Sequence, residues 1–149
     1  MMAKVLIIIG SKSDMEYAEK CQSQLKTLEI DSDIEISSAH RHPTKTAELT
    51  AGAEKKGYEA IIAMAGLAAA LPGVAAAHSQ LPVIGVPLPA ALGGMDSLLS
   101  IAQMPPGIPV ATVGIGLPGA KNAAVLTARI LALKHPDIKK ALEDYRKTL

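Results

Sequence analysis

The sequence predicts an α/β fold, a flavodoxin-like three-layer α-β-α sandwich with a parallel sheet. Short apolar runs recur along the chain, helical patterns separate them, and Gly, Pro and Ser mark the boundaries. The first run, Val5 to Ile9, is apolar throughout and mostly β-branched, as in a strand buried on both faces of a parallel sheet. Ligands bind such sheets at the carboxyl ends of the strands.

The elements follow in β-α alternation. Gly10 closes the first strand, and Ser13 or Asp14 is expected to cap a helix that ends near Glu29. Pro43 suits the first turn of the second helix. The remaining predictions are a strand over 33–37, a helix closing at 55–57, a strand over 60–64, an Ala-rich helix, strands over 82–86 and 109–113, and helices over 120–133 and 136–149.

Composition sets limits on structure and function. With 149 residues, 49% of them hydrophobic, we expect one domain over residues 1–149. A net charge of +1 and the lack of Trp and Phe argue against nucleic acid as a partner. No apolar run reaches membrane-spanning length, so we expect no membrane partner and a cytoplasmic location. The lone Cys21 is expected in the core.

Two turns carry the candidate chemistry. Ser38, Ala39, His40 and Arg41 follow the second strand, and residues 10–14, Gly-Ser-Lys-Ser-Asp, follow the first. Imidazole exchanges protons near neutral pH, which suits acid-base catalysis. The neighbouring N–H groups, hydroxyls, carboxylate and guanidinium suit a phosphorylated sugar. The alternatives are an exposed polar turn around His40 and an ordinary helix cap at residues 10–14.

Other motifs have competing explanations. Residues 65–73, Ala-Gly-Leu-Ala-Ala-Ala-Leu-Pro-Gly, permit close approach to a flat ligand or tight helix packing. Residues 114–119 match GxGxxG, but no strand with an acidic end follows, so a loop is the better interpretation. His78 and His135 are expected near helix carboxyl ends, in structural roles. No metal-ligand spacing appears, so no metal site is inferred.

Several motifs together resemble one known family. They are Gly10–Asp14, Ser38–Arg41, Leu71–Gly73, Leu81–Pro87 and the stretch from Asp96 to Pro105. In consistent order over residues 5–133, they are similar to the N5-carboxyaminoimidazole ribonucleotide mutases, the catalytic-subunit type of phosphoribosylaminoimidazole carboxylase.

The resemblance implies an isomerase of purine biosynthesis that moves a carboxyl group from an exocyclic nitrogen to ring carbon 4, with CO2 held in the site. It implies a homo-octamer that uses no ATP, metal or cofactor. His40 would shuttle the proton, Ser11 and Arg41 would bind phosphate, and Asp14 would bind the ribose. The other implied site residues are Ser13, Ser38, Ala39, Gly66, Leu67, Ala68, Ala70 and Leu71, with the 87–107 loop as a cover.

One position departs from the family pattern. The family reads Gly-Gly-Ala-Ala-His-Leu-Pro-Gly or Gly-Leu-Ala-Ala-His-Leu-Pro-Gly, and Ala70 stands here at the histidine position. We therefore expect altered handling of CO2. Two alternatives to the mutase are direct carboxylation of aminoimidazole ribonucleotide by CO2, and a ribonucleotide-binding paralogue with weakened catalysis.

Overall fold

The strands of this computed structural model form one all-parallel sheet, and the structure describes residues 1–149. They are β1 (Lys4–Ile9), β2 (Asp31–Ile36), β3 (Ala60–Ala65), β4 (Val83–Pro87) and β5 (Ala111–Thr112). Their order in the sheet is β2-β1-β3-β4-β5, which is the flavodoxin-like order. The predicted fold class is confirmed.

Six helices cover the sheet: α1 (Met15–Thr27), α2 (Pro43–Ala51), α3 (Leu71–His78), α4 (Met95–Ala102), α5 (Leu117–Leu131) and α6 (Pro136–Arg146). Val5, Ile7 and Ile9 of β1 belong to a core shared with α1, α5 and α6. Leu6 and Ile8 belong to a second core, shared with α3. Successive side chains of β1 therefore face opposite layers, which is why the whole run is apolar.

Two predicted boundaries differ from the structure for local reasons. The second helix ends at Ala51 rather than at 55–57, where a separate 3-10 turn over Glu54–Lys56 closes on Gly57 at φ 87°. The fifth strand pairs only at Ala111 and Thr112, although it was predicted over 109–113. Pro109 has no N–H for a ladder, and β5 is an edge strand.

The glycines of residues 114–119 shape a tight turn. Gly116 has φ 77°, and a Cβ on Gly119 would collide with the carbonyl oxygen of Gly114. None of these residues lines the cavity described below. The structure therefore agrees with the loop interpretation of this GxGxxG match.

The side chain of His135, predicted to have a structural role near a helix carboxyl end, bonds to a carboxylate. It lies between α5 and α6, and its Nε2 donates to the Glu59 carboxylate at 2.9 Å rather than meeting helix carbonyls. Burial alone would raise the pKa of Glu59, but hydrogen bonds from His135 and Lys134 outweigh it and lower that pKa. The interaction joins the start of β3 to the α5–α6 junction.

None of the helices has both the length and the apolar character that a membrane span needs.

Candidate functional site

The carboxyl ends of β1, β2, β3 and β4 meet around a cavity of 540 Å³, a volume typical of small-molecule sites. The strands end together because their registers pair Ile9 with Ile36 and Met64, and Ala65 with Pro87. The structure brings all of the sequence-predicted site residues to this cavity: Ser11, Ser13, Asp14, Ser38, Ala39, His40, Arg41, Gly66, Leu67, Ala68, Ala70 and Leu71.

The turn after β1 presents two hydroxyls and a carboxylate. Ser11 Oγ lies 3.0 Å from Ser13 Oγ and accepts from the Ser13 N–H at 3.3 Å. Asp14 occupies the N-cap position of α1, but its side chain makes no capping hydrogen bond. Burial raises the pKa of the Asp14 carboxyl. Its oxygens are thus half-buried acceptors directed to no partner within the chain, as a polyhydroxyl ligand requires.

The turn after β2 carries His40 and Arg41. The Arg41 N–H donates to Ser38 Oγ at 3.1 Å, and the His42 N–H donates to the Ser38 carbonyl at 2.8 Å. The backbone is therefore held at both sides of His40. The side chains of His40 and Arg41 are themselves exposed.

The loop from β3 to α3 is made of small residues in unusual conformations. Leu67 has φ 56° and Ala69 has φ 22°, in the left-handed region that side chains disfavour. Leu67 is 60% exposed, whereas Ala69 is buried. The loop keeps its backbone close to the cavity at a cost in local strain, a combination associated with ligand sites.

Ala70 and Leu71 stand where this loop enters α3. Ala70 is the N-cap residue and offers no side-chain hydrogen bond to the helix. Leu71 is 2% exposed and packs in the second core with Ala75. At Ala70 the cavity wall therefore has a methyl group and no polar side chain.

For one part of the wall, sequence reasoning gave only the 87–107 loop as a cover and did not name the residues. Leu88, Pro89 and Ala90 line the cavity directly after β4. Their position at the end of a strand was the signal that would have found them. Of the 87–107 loop predicted as a cover, only these residues reach the cavity, because α4 packs instead against β4 and β5.

A second cavity, of 670 Å³, lies near the amino ends of β1 and β2, among Met1, Ala3, Glu29 and α6. It contains none of the predicted site residues. No group of three His, Cys, Asp or Glu side chains is placed to hold a metal ion.

The profile of the AIR carboxylase family matches residues 4–149. This chain belongs to the AIR carboxylase family. It is 53% identical to the N5-carboxyaminoimidazole ribonucleotide mutase of Pyrococcus abyssi, over 99% of this chain and 84% of the relative. It is 48% identical to the mutase of Escherichia coli K12, over 97% of this chain and 86% of that protein.

A solved structure of a family relative agrees with the fold. The crystal structure of Treponema denticola PurE superposes with a TM-score of 0.86 at 33% identity, covering 98% of this chain and 90% of that one. The AIR carboxylase family assignment therefore has support from sequence and from three-dimensional structure over nearly the whole chain.

The strained loop gives a stability prediction. Leu67→Gly should leave the free energy of unfolding within about 0.5 kcal/mol of its original value, because glycine avoids the ~1–2 kcal/mol cost of a left-handed side-chain conformation. Ala68→Gly, next to it and without a positive φ, should lose about 1 kcal/mol. Urea unfolding measures both. Equal losses in the two variants would show that Leu67 is not strained.

Proposed function

We propose that this chain converts N5-carboxyaminoimidazole ribonucleotide to 4-carboxyaminoimidazole ribonucleotide in purine biosynthesis, as an isomerase. The observation that carries the proposal is the family match over residues 4–149, whose curated relatives are named as this mutase. The cavity supports it independently, since it brings an imidazole, a guanidinium, hydroxyls and a carboxylate to one place. The proposal includes a cytoplasmic location.

In the proposed binding mode, each protein side chain is assigned to the part of the substrate that its chemistry suits. Ser11, Ser13 and Arg41 surround the phosphate, because hydroxyls and a guanidinium donate hydrogen bonds to its oxygens. Asp14 accepts hydrogen bonds from the ribose hydroxyls, since the two oxygens of a carboxylate can accept from two neighbouring hydroxyls. Ser38 and Ala39 hold the turn around His40. The small-residue loop, Gly66 to Leu71, lies against the flat base and the CO2.

The proposed reaction conserves atoms without a co-reactant. The bond from the exocyclic nitrogen to the carboxylate breaks, CO2 leaves, and the nitrogen keeps the electron pair and gains a proton. Ring carbon 4 then attacks the retained CO2 and loses its proton. His40 shuttles the proton at that carbon, a transfer for which an imidazole is suited near neutral pH. Retention of the CO2 requires that the bound ligand and the surrounding walls exclude water.

The decisive assay follows the ultraviolet appearance of 4-carboxyaminoimidazole ribonucleotide, without ATP or metal. One reaction contains N5-carboxyaminoimidazole ribonucleotide, and the other contains aminoimidazole ribonucleotide with bicarbonate. Product mainly from the first supports the mutase. Product mainly from the second would make the chain a carboxylase, and binding without product from either would make it a ribonucleotide-binding paralogue.

His40→Asn should lower kcat by about 10²- to 10⁴-fold, because the amide cannot shuttle a proton. Binding of the ribonucleotide should persist, as judged by calorimetry. His42→Asn is the matched control, since His42 is exposed, does not line the cavity and makes no side-chain capping bond. A similar loss in both variants would remove His40 from the proposed proton path.

Ala70→His should change turnover about tenfold or more, because an imidazole places a hydrogen-bonding group in a wall that now has none. Rates with both substrates measure the effect. Ala70→Leu adds volume without polarity and should not reproduce this change. Unchanged turnover of both substrates in Ala70→His would refute the idea that this position governs how CO2 is handled.

We also propose a homo-octamer. The exposed apolar side chains that favour association are Leu67, Leu92, Met95 and Leu99, each more than half exposed. The terminal helix α6 offers little apolar surface for association, because the long side chains on its exposed surface are mostly charged. Light scattering should give a mass near eight chains of 15.4 kDa. A mass near one chain would contradict the assembly.

A further inference from the structure

Two buried hydroxyls lie beneath the turn that carries His40. Thr46, in the first half of α2, is fully buried, and Ser37, directly after β2, is 1% exposed. Their Oγ atoms are 2.6 Å apart. Neither side chain lines the cavity. A hydroxyl in such a position is costly unless it is paired, so its contacts indicate what it stabilises.

The Thr46 hydroxyl contacts both ends of the His40 turn. Thr46 Oγ1 lies 3.2 Å from the carbonyl oxygen of Ser38 and 3.0 Å from that of His42. The Ser38 carbonyl also accepts from the His42 N–H at 2.8 Å. His40 lies midway between these two residues. One hydroxyl thus reaches the carbonyls on either side of the proposed proton carrier.

The direction of the hydrogen-bond chain follows from the donors available. Ser37 Oγ makes no other hydrogen bond, whereas Thr46 Oγ1 also contacts the Ser38 and His42 carbonyls. Both hydroxyls are therefore satisfied when Ser37 donates to Thr46 Oγ1 and Thr46 donates to these carbonyls. The Ser37 N–H donates to the Ile9 carbonyl at 2.8 Å. Ser37 therefore links the end of β1, through its backbone N–H, to the His40 turn, through its hydroxyl and Thr46.

We propose that the Ser37–Thr46 hydroxyl pair positions His40 and Arg41 by fixing this turn against β1. Thr46 and Ser37 are positioning residues that do not touch the substrate. The part of the proposal that concerns turnover rests on the proposed mutase activity, whereas the part that concerns the turn does not.

The central variant is Thr46→Val, which keeps the shape of the side chain and removes the hydroxyl. We expect faster hydrogen exchange at the Arg41 and His42 amides, by about tenfold, because the turn opens more often. We expect kcat to fall about tenfold with KM within about threefold, because misplacement of a catalytic group by a fraction of an ångström is enough to slow turnover. Thr46→Ser restores the hydroxyl and should recover both within about twofold.

The same helix provides a matched control. Thr50 is also fully buried, and its hydroxyl bonds only to the carbonyls of Thr46 and Ala47 in its own helix. Thr50→Val therefore removes a buried threonine hydroxyl without touching the turn. It should leave the exchange of the Arg41 and His42 amides and kcat near their original values.

A double variant separates positioning from stability. In Thr46→Val, the buried Ser37 hydroxyl loses its acceptor, which lowers stability by itself. Ser37→Ala combined with Thr46→Val removes that unpaired group, so the urea midpoint should recover. Exchange at the Arg41 and His42 amides should stay fast and kcat low, because nothing replaces the bonds to the turn.

The outcomes are distinguishable. Unchanged amide exchange in Thr46→Val, equal acceleration in Thr50→Val, or failure of Thr46→Ser to restore the turn would overturn the proposal. Fast exchange with unchanged kcat in an active protein would overturn it too. If the native chain converts no substrate, the proposed activity fails, and the exchange rates alone decide whether the hydroxyl pair holds the turn.

Discussion

The site depends on the parallel register of β1 with its two neighbours. β1 is hydrogen-bonded along both edges and buried on both faces, and its register with β2 and β3 makes the three strands end at one level. The turns that leave these strands are consequently brought together. A slip of one residue in either pairing would reverse which side chains face each core. The apolar identity of Val5 to Ile9 therefore supports the site as well as the fold.

At the site, small residues and backbone bonds fix the geometry, while the side chains of His40 and Arg41 remain exposed. The Gly66 to Leu71 loop brings backbone close to the cavity, and the β2 turn is held by hydrogen bonds to Ser38. His40 and Arg41 project from that turn into solvent in the single chain. Their electrostatic effect on a bound anion depends on how completely the ligand and its surroundings exclude water.

Much of the fold and the site could be predicted because the signals are local. A short, fully apolar and mostly β-branched run closed by a glycine is typical of a buried strand, and the sheet determines where a polar motif directly after such a strand lies. The missed features depend on tertiary contacts. Thr46 has no distinctive sequence pattern, since its importance comes from Ser37 and the carbonyls above it. The positive φ of Leu67 is similarly invisible, because leucine does not signal that conformation.

The single thiol of the chain has a practical consequence. Cys21 lies on the buried face of α1 and is fully buried, and burial raises its pKa to about 12. Only the thiolate reacts readily with alkylating agents. In the folded chain this group is both enclosed and protonated, so a labelling reagent reaches it only when α1 separates from the sheet. The rate at which Cys21 is labelled therefore reports how often the core around this thiol opens.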